Sequence, residues 1–102
     1  MRRVFASERN ELSLNPRRHA KARANVRKHA VSFEEAMTVF LDELAVPYEE
    51  GAHRDRLVLI GESKLGRTLL IVFTERTAGG IIRIISARRA TKRERRAYAE
   101  GD

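Results

Sequence analysis

Three stretches decide the fold: Arg56-Leu57-Val58-Leu59-Ile60-Gly61-Glu62-Ser63, Thr68-Leu69-Leu70-Ile71-Val72-Phe73-Thr74-Glu75-Arg76 and Gly80-Ile81-Ile82-Arg83-Ile84-Ile85-Ser86-Ala87-Arg88. Each is short, rich in aliphatic and β-branched residues and bounded by turn formers, as strands are. Gly66 marks the first turn and the Gly79–Gly80 pair the second. Connections this short join antiparallel neighbours, so the three runs make a meander. Apolar residues fill both phases of the alternation, which predicts a sheet that is covered on both faces or strongly curved. A lone Arg83 inside a β-branched run is costly unless it has a partner or reaches a surface that needs positive charge.

Downstream of the third strand, Thr91 and Glu94 have the spacing of a capping box and predict a final helix to about Glu100. Upstream, the residues after Pro47 to about Asp55 read as a polar, acidic loop. Ser32 and Glu35 form a second capping box, with Val31 and Ala36 as its hydrophobic staple. Phe33, Ala36, Met37, Phe40, Leu41 and Leu44 then follow helical spacing, predicting a helix whose apolar stripe lies in the core. Asn15 and Pro16 read as N-cap and first helical residue of an earlier basic helix, running to about Lys28 with a thin apolar stripe. The order is helix, helix, three strands, helix: a small α+β domain over residues 1–102, with room for a fourth strand near Arg3 to Phe5. Residues 1–24 form an atypical basic N-terminal segment of it.

Twenty-one Lys and Arg against 14 Asp and Glu give a formal charge of +7, which points to an anionic partner such as nucleic acid or an acidic protein. The charge is unevenly spread. Residues 1–30 carry nine bases and two acids, 31–55 one base and seven acids, and 56–102 eleven bases and five acids. The two basic blocks either make one positive groove or form part of a mixed solvated surface. With no Cys and three separated His, neither a disulfide framework nor a conventional zinc cage is expected. No apolar run approaches the roughly 20 residues that span a bilayer, and no signal-peptide core opens the chain, so the expectation is a cytoplasmic protein.

Three segments together resemble the BrnT toxins. Asn25-Val26-Arg27-Lys28-His29-Ala30-Val31-Ser32-Phe33-Glu34-Glu35-Ala36 is similar to their N-x-x-K-H-G-V-S-F-E-E-A segment. Arg56 followed by Ile60-Gly61 is similar to their R-x-x-x-I-G strand. Arg83-Ile84-Ile85-Ser86-Ala87-Arg88, with Thr91 to Arg96 and Tyr98, resembles their R-I-I-S-A-R-x-A-T-x-x-E-R-x-x-Y ending. The resemblance covers about Asn25 to Gly101, and the closing motif is long and ungapped. Two departures stand out. Leu14-Asn15-Pro16 replaces the W-D-P that ends the family's opening strand, with Arg18 to Ala20 as an apparent insertion. Ala30 replaces a Gly suited to a left-handed helix end, which predicts a reshaped turn.

The resemblance implies a RelE-like fold and an endoribonuclease toxin of a type II toxin–antitoxin pair, cleaving RNA to halt translation. It also implies a BrnA-like ribbon-helix-helix antitoxin, a 2:2 complex, and operator DNA reached only through that antitoxin. Metal-independent RNA cleavage without a cofactor needs a base for the ribose 2′-OH, cations for the charge building on phosphorus, and an acid for the leaving oxygen. Arg83 and Arg88 suit the cationic role, because a guanidinium fork binds phosphate bidentately and stays charged. Five residues apart on a regular strand they point to opposite faces, so a twist or bulge is required to join them. Otherwise Arg83 serves as an ion pair with Glu75 or Glu62. His29 is the titrating candidate, or a cation stabilising a helix end. Tyr98 is an acid, a base-stacking ring or a packing residue, and Ser86 holds phosphate or caps a turn. Lys28, Arg56, Lys92, Arg93, Arg95 and Arg96 are candidate RNA-backbone contacts, the alternative being a solvated surface. Asp42 to Glu50 repels RNA and suits a basic partner or open solvent. A non-catalytic nucleic-acid-binding or complex-forming module is the competing reading.

Overall fold

The computed structural model describes residues 16–49, 55–75 and 80–101. Helix α1 (Pro16–His29) leads to α2 (Phe33–Thr38), which runs into a 3-10 turn (Val39–Leu41). Strands β1 (Val46–Pro47), β2 (Leu57–Glu62), β3 (Thr68–Glu75) and β4 (Ile82–Arg89) follow, and α3 (Lys92–Glu100) closes the chain. The strands form one antiparallel sheet in the order β1-β2-β3-β4, so the α+β meander is as the sequence implies.

Both faces of the sheet are covered, as the doubly apolar strands predict. On the first face Leu69, Ile71 and Phe73 of β3 join Ile82, Ile84 and Ala87 of β4. They pack against Val31, Phe33, Ala36, Met37 and Val39 from the α2 segment, with Ala22 of α1 alongside. Phe40 adds an edge-to-face contact to Phe73, ring centres 4.9 Å apart. On the second face Val46, Val58, Ile60 and Leu70 pack with Ala90, Tyr48, Val72 and Tyr98, so α3 and the segment after β1 cover this side. Gly61 lets the 3-10 turn approach β2, since a Cβ there would lie 2.8 Å from Val39 Cγ1 and 2.9 Å from Ala45 Cβ.

The strand expected near Arg3 to Phe5 lies outside the described residues. Among the described residues the sheet has a fourth strand that the sequence reading did not include, Val46–Pro47, which pairs with Ile60 and Leu59 at the sheet edge, where the missing N–H of Pro47 costs nothing. Three expectations need revision. The second helix is shorter than its stripe suggests: Leu41 and Leu44 are 69% and 72% exposed rather than core. Asp42 explains the stop. Its Oδ1 accepts the Leu44 N–H at 2.9 Å and its Oδ2 the Glu62 N–H at 2.8 Å, offering the backbone an alternative to further helix.

The first capping box is only half made. Ser32 Oγ accepts from the Glu35 N–H at 2.9 Å. The Glu35 carboxylate, instead of turning back to Ser32, accepts from Ser63 Oγ at 2.6 Å and from the Arg67 guanidinium. Finally, Ala30 does not reshape the turn after α1. It adopts the left-handed conformation at φ 57°, its N–H bonded to the Val26 carbonyl at 2.8 Å. Arg67 Nη2 holds the Ala30 carbonyl at 3.0 Å, so tertiary contacts maintain a conformation that Ala disfavours. Among the described residues no helix is long and apolar enough to cross a membrane.

Candidate nucleic-acid interface

A bulge in β4 determines where the arginines point. Val72 pairs with Ser86 but Phe73 pairs with Ile84, leaving Ile85 as an extra residue on β4. The five-residue spacing of Arg83 and Arg88, which on a regular strand separates them, therefore brings them to one face. Arg83 stands opposite Thr74, Ser86 opposite Val72 and Arg88 opposite Leu70. These three partners alternate along β3 on the second face, away from Ile71 and Phe73. At about 3.3 Å per residue Arg83 and Arg88 are roughly 13 Å apart along the sheet, with Ser86 between them. Two long side chains can converge over that distance.

Arg83 and Ser86 are half-buried, and the Nε of Arg83 is buried. Arg88 forms a two-point ion pair across the strand-to-helix junction, Nη1 to Glu94 Oε1 at 2.8 Å and Nη2 to Oε2 at 2.9 Å. Glu94 is also the returning half of a complete capping box: its Oε1 accepts the Thr91 N–H at 2.8 Å, and its own N–H donates to Thr91 Oγ1 at 3.2 Å. The Arg88 guanidinium holds the Glu94 carboxyl below its ordinary range, burial opposing, and Glu94 in turn raises Arg88.

Tyr98 donates its hydroxyl to Asp42 Oδ2 at 2.7 Å. That bond, helped by burial and by the Asp42 charge, pushes the phenol up to about 12. Asp42 thereby ties the end of the 3-10 turn to β2 and to α3. Lys92, Arg93, Arg95 and Arg96 are exposed on α3, with Arg95 Nη1 also on the Ala90 carbonyl at 3.0 Å. Arg56 is exposed one residue before β2, and the alternation that faces Val58 and Ile60 toward α3 gives it the same side.

Lys28 and His29 belong to the other layer. Helix α1 lies along β4, fastened by Asn25. The Asn25 amide donates to the Ala87 carbonyl at 2.8 Å and accepts the Ala87 N–H at 3.1 Å, as a neighbouring strand would. It also donates to the Val31 carbonyl at 2.9 Å. Lys28 and His29 close this helix beside Ala30 and Arg67, while Arg83, Ser86 and Arg88 of β4 lie on the α3 side. The structure thus gathers Arg56, Arg83, Ser86, Arg88 and the basic residues of α3 on one side, and sets Lys28 and His29 apart from them.

Asn25, Asp42 and Glu94 carry more of this architecture than their sequence positions suggest. In the sequence Asn25 stands out only within its motif and Glu94 only as a helix cap. No local spacing links Glu94 to Arg88, or Asp42 to a tyrosine 56 residues away.

Against known proteins, residues 18–94 match the family model described as the ribonuclease toxin, BrnT, of type II toxin-antitoxin systems. Among solved structures, the chain is similar to the ribonuclease toxin BrnT of Brucella abortus, known from a crystal structure at 1.1 Å. The TM-score is 0.58 at 22% identity, over 72% of this chain and 91% of that one. At that identity the likeness speaks for the fold. No curated protein matches the chain.

Proposed function

Because the chain belongs to the BrnT family of ribonuclease toxins of type II toxin–antitoxin systems, we propose that it is a metal-independent endoribonuclease acting through the α3-covered face of its sheet. The observation that carries this reading is the β4 bulge, which sets Arg83, Ser86 and Arg88 along one side. The scissile phosphate would lie over Ser86, its non-bridging oxygens held by guanidinium donors. Attack of the ribose 2′-OH in line with the departing 5′-oxygen breaks the P–O5′ bond and leaves a 2′,3′-cyclic phosphate and a 5′-hydroxyl. Preorganised cations stabilise the charge that accumulates in this step, so positioning and electrostatics supply much of the rate. Arg56, Lys92, Arg93, Arg95 and Arg96 extend the cationic footprint along the RNA backbone. Tyr98 is better suited to a structural tie than to an acid, because its proton is committed to Asp42. Lys28 and His29 stand in the α1 layer and are left outside the proposed centre.

The proposal extends to a BrnA-like ribbon-helix-helix antitoxin in a 2:2 assembly, with operator DNA bound through the antitoxin, and to action in the cytoplasm on translated RNA. A second reading, a binding module without catalysis, draws on the Arg88–Glu94 pair, which already neutralises one cation. The Arg83→Ala variant separates the two. Nuclease action predicts RNA binding within a few-fold of wild type and a loss of cleavage of at least 100-fold. A pure binding module predicts no cleavage by either protein and a loss of affinity that follows salt-sensitive contacts. Induced expression of the chain alone is expected to arrest growth, and harmless overexpression would count against the toxin reading.

A further inference from the structure

The Arg88–Glu94 pair has a geometry that bears on how Arg88 can meet a phosphate. A guanidinium offers two edges with paired donors: the end formed by Nη1 and Nη2, and the side formed by Nε and Nη2. Glu94 occupies the end, with Oε1 on Nη1 and Oε2 on Nη2. The second proton of Nη1 is directed to the Arg89 carbonyl at 3.3 Å. Among the described residues nothing accepts from Nε–H or from the remaining proton of Nη2. These two protons lie parallel on the same edge, the spacing that suits two oxygens of one phosphate. The Arg88 side chain is 37% exposed whereas that of Glu94 is 11% exposed, so the carboxylate sits behind the guanidinium. Glu94 is itself fixed at the first turn of α3 by the capping box.

We infer that Glu94 is a positioning residue, which clamps the far end of Arg88 so that its Nε–Nη2 edge is presented to an RNA phosphate on the β4 face. The inference rests on the proposed nuclease reading and adds a role to a residue otherwise explained as a helix cap. In this arrangement carboxylate and phosphate do not compete for the same donors, and Arg88 carries both at once. Without Glu94 the long side chain samples other rotamers, and ordering it is left to the moment the phosphate binds.

Two substitutions separate the clamp from the cap. Glu94→Gln keeps a side chain able to close the capping box but replaces the charged two-point pair. Thr91→Ala removes the threonine half of the box and leaves both partners of the pair in place. The expected result for Glu94→Gln is a 10- to 100-fold lower single-turnover cleavage rate at saturating RNA. Its affinity for an uncleavable 2′-O-methyl RNA should stay within threefold of wild type, and its melting temperature should fall modestly with the loss of the ion pair. Thr91→Ala should lower the melting temperature but keep the cleavage rate within threefold. A Glu94→Gln variant that cleaves at the wild-type rate would overturn the inference, as would rate losses in both variants that simply follow stability.

Side-chain NMR of Arg88 supplies a measurement that does not need cleavage. Adding the 2′-O-methyl RNA to the wild-type protein should shift the Arg88 Nε–H resonance while rotation about the Nη groups stays slow. An unmoved Nε–H, or Nη groups freed by the RNA, would sink the clamp. A shifted Nε–H in a protein that cleaves no RNA would remove the nuclease reading and leave the phosphate clamp standing.

Discussion

At the scale of single residues, Ala30 shows how far tertiary contacts can hold a local conformation. An L-residue in the left-handed region costs roughly 1–2 kcal/mol, and Gly removes most of that. Part of the gain is returned through the greater freedom of Gly in the unfolded chain. Ala30→Gly is therefore expected to stabilise the protein by about 0.5–1 kcal/mol, read as a shift of the urea midpoint at unchanged slope. The Arg67 bond to the residue-30 carbonyl is made to the backbone and survives the change. A destabilised Ala30→Gly variant would mean that the turn at φ 57° is not strained.

At the scale of elements, the attachment of α1 to β4 depends on one buried amide. Asn25 is 7% exposed and satisfies both backbone groups of Ala87 together with the Val31 carbonyl. Truncating it to Ala leaves the Ala87 N–H and two carbonyls without those bonds, at about 1–3 kcal/mol for each group that water cannot reach. Asn25→Ala should destabilise the fold by about 2–4 kcal/mol on that scale, and hydrogen exchange at the Ala87 amide should accelerate beyond the global change. Equal exchange in both proteins would show that α1 is fastened elsewhere. The end of the 3-10 turn offers a parallel case, with Asp42 joined to the Glu62 and Leu44 amides and to the Tyr98 hydroxyl.

For the whole molecule, two buried carboxylates set the response to acid. Glu35 is lowered chiefly by its hydrogen bond from Arg67, and Glu94 chiefly by the one from Arg88, each against an opposing burial effect. Both therefore ionise below their ordinary value of 4.5 when folded, and the unfolded chain takes up these protons first as the pH falls. Their contribution is fully present above about pH 5 and is lost as the pH drops below 4.5 through the folded values. Thermal melts between pH 3 and 7 should show a plateau at the upper end and a steep decline at the lower. A Glu35→Gln variant should melt lower at pH 7 and decline less steeply in acid. A decline of unchanged steepness would place the acid sensitivity elsewhere.

The sequence by itself determined the three strands of the meander, the turn at Gly66 and the helix starts at Ser32 and Thr91. These rest on periodicity and short-range chemistry, which act over a few residues and survive without knowledge of the neighbours. The side to which Arg83 and Arg88 turn was decided by tertiary structure, because a bulge exists only relative to the partner strand it is paired with. The same holds for the early end of α2, imposed by Asp42 bonding to β2, and for the diversion of Glu35 to Arg67. Buried polar groups take whichever partner the packing supplies, and those partners lie 20 to 32 residues away in the chain.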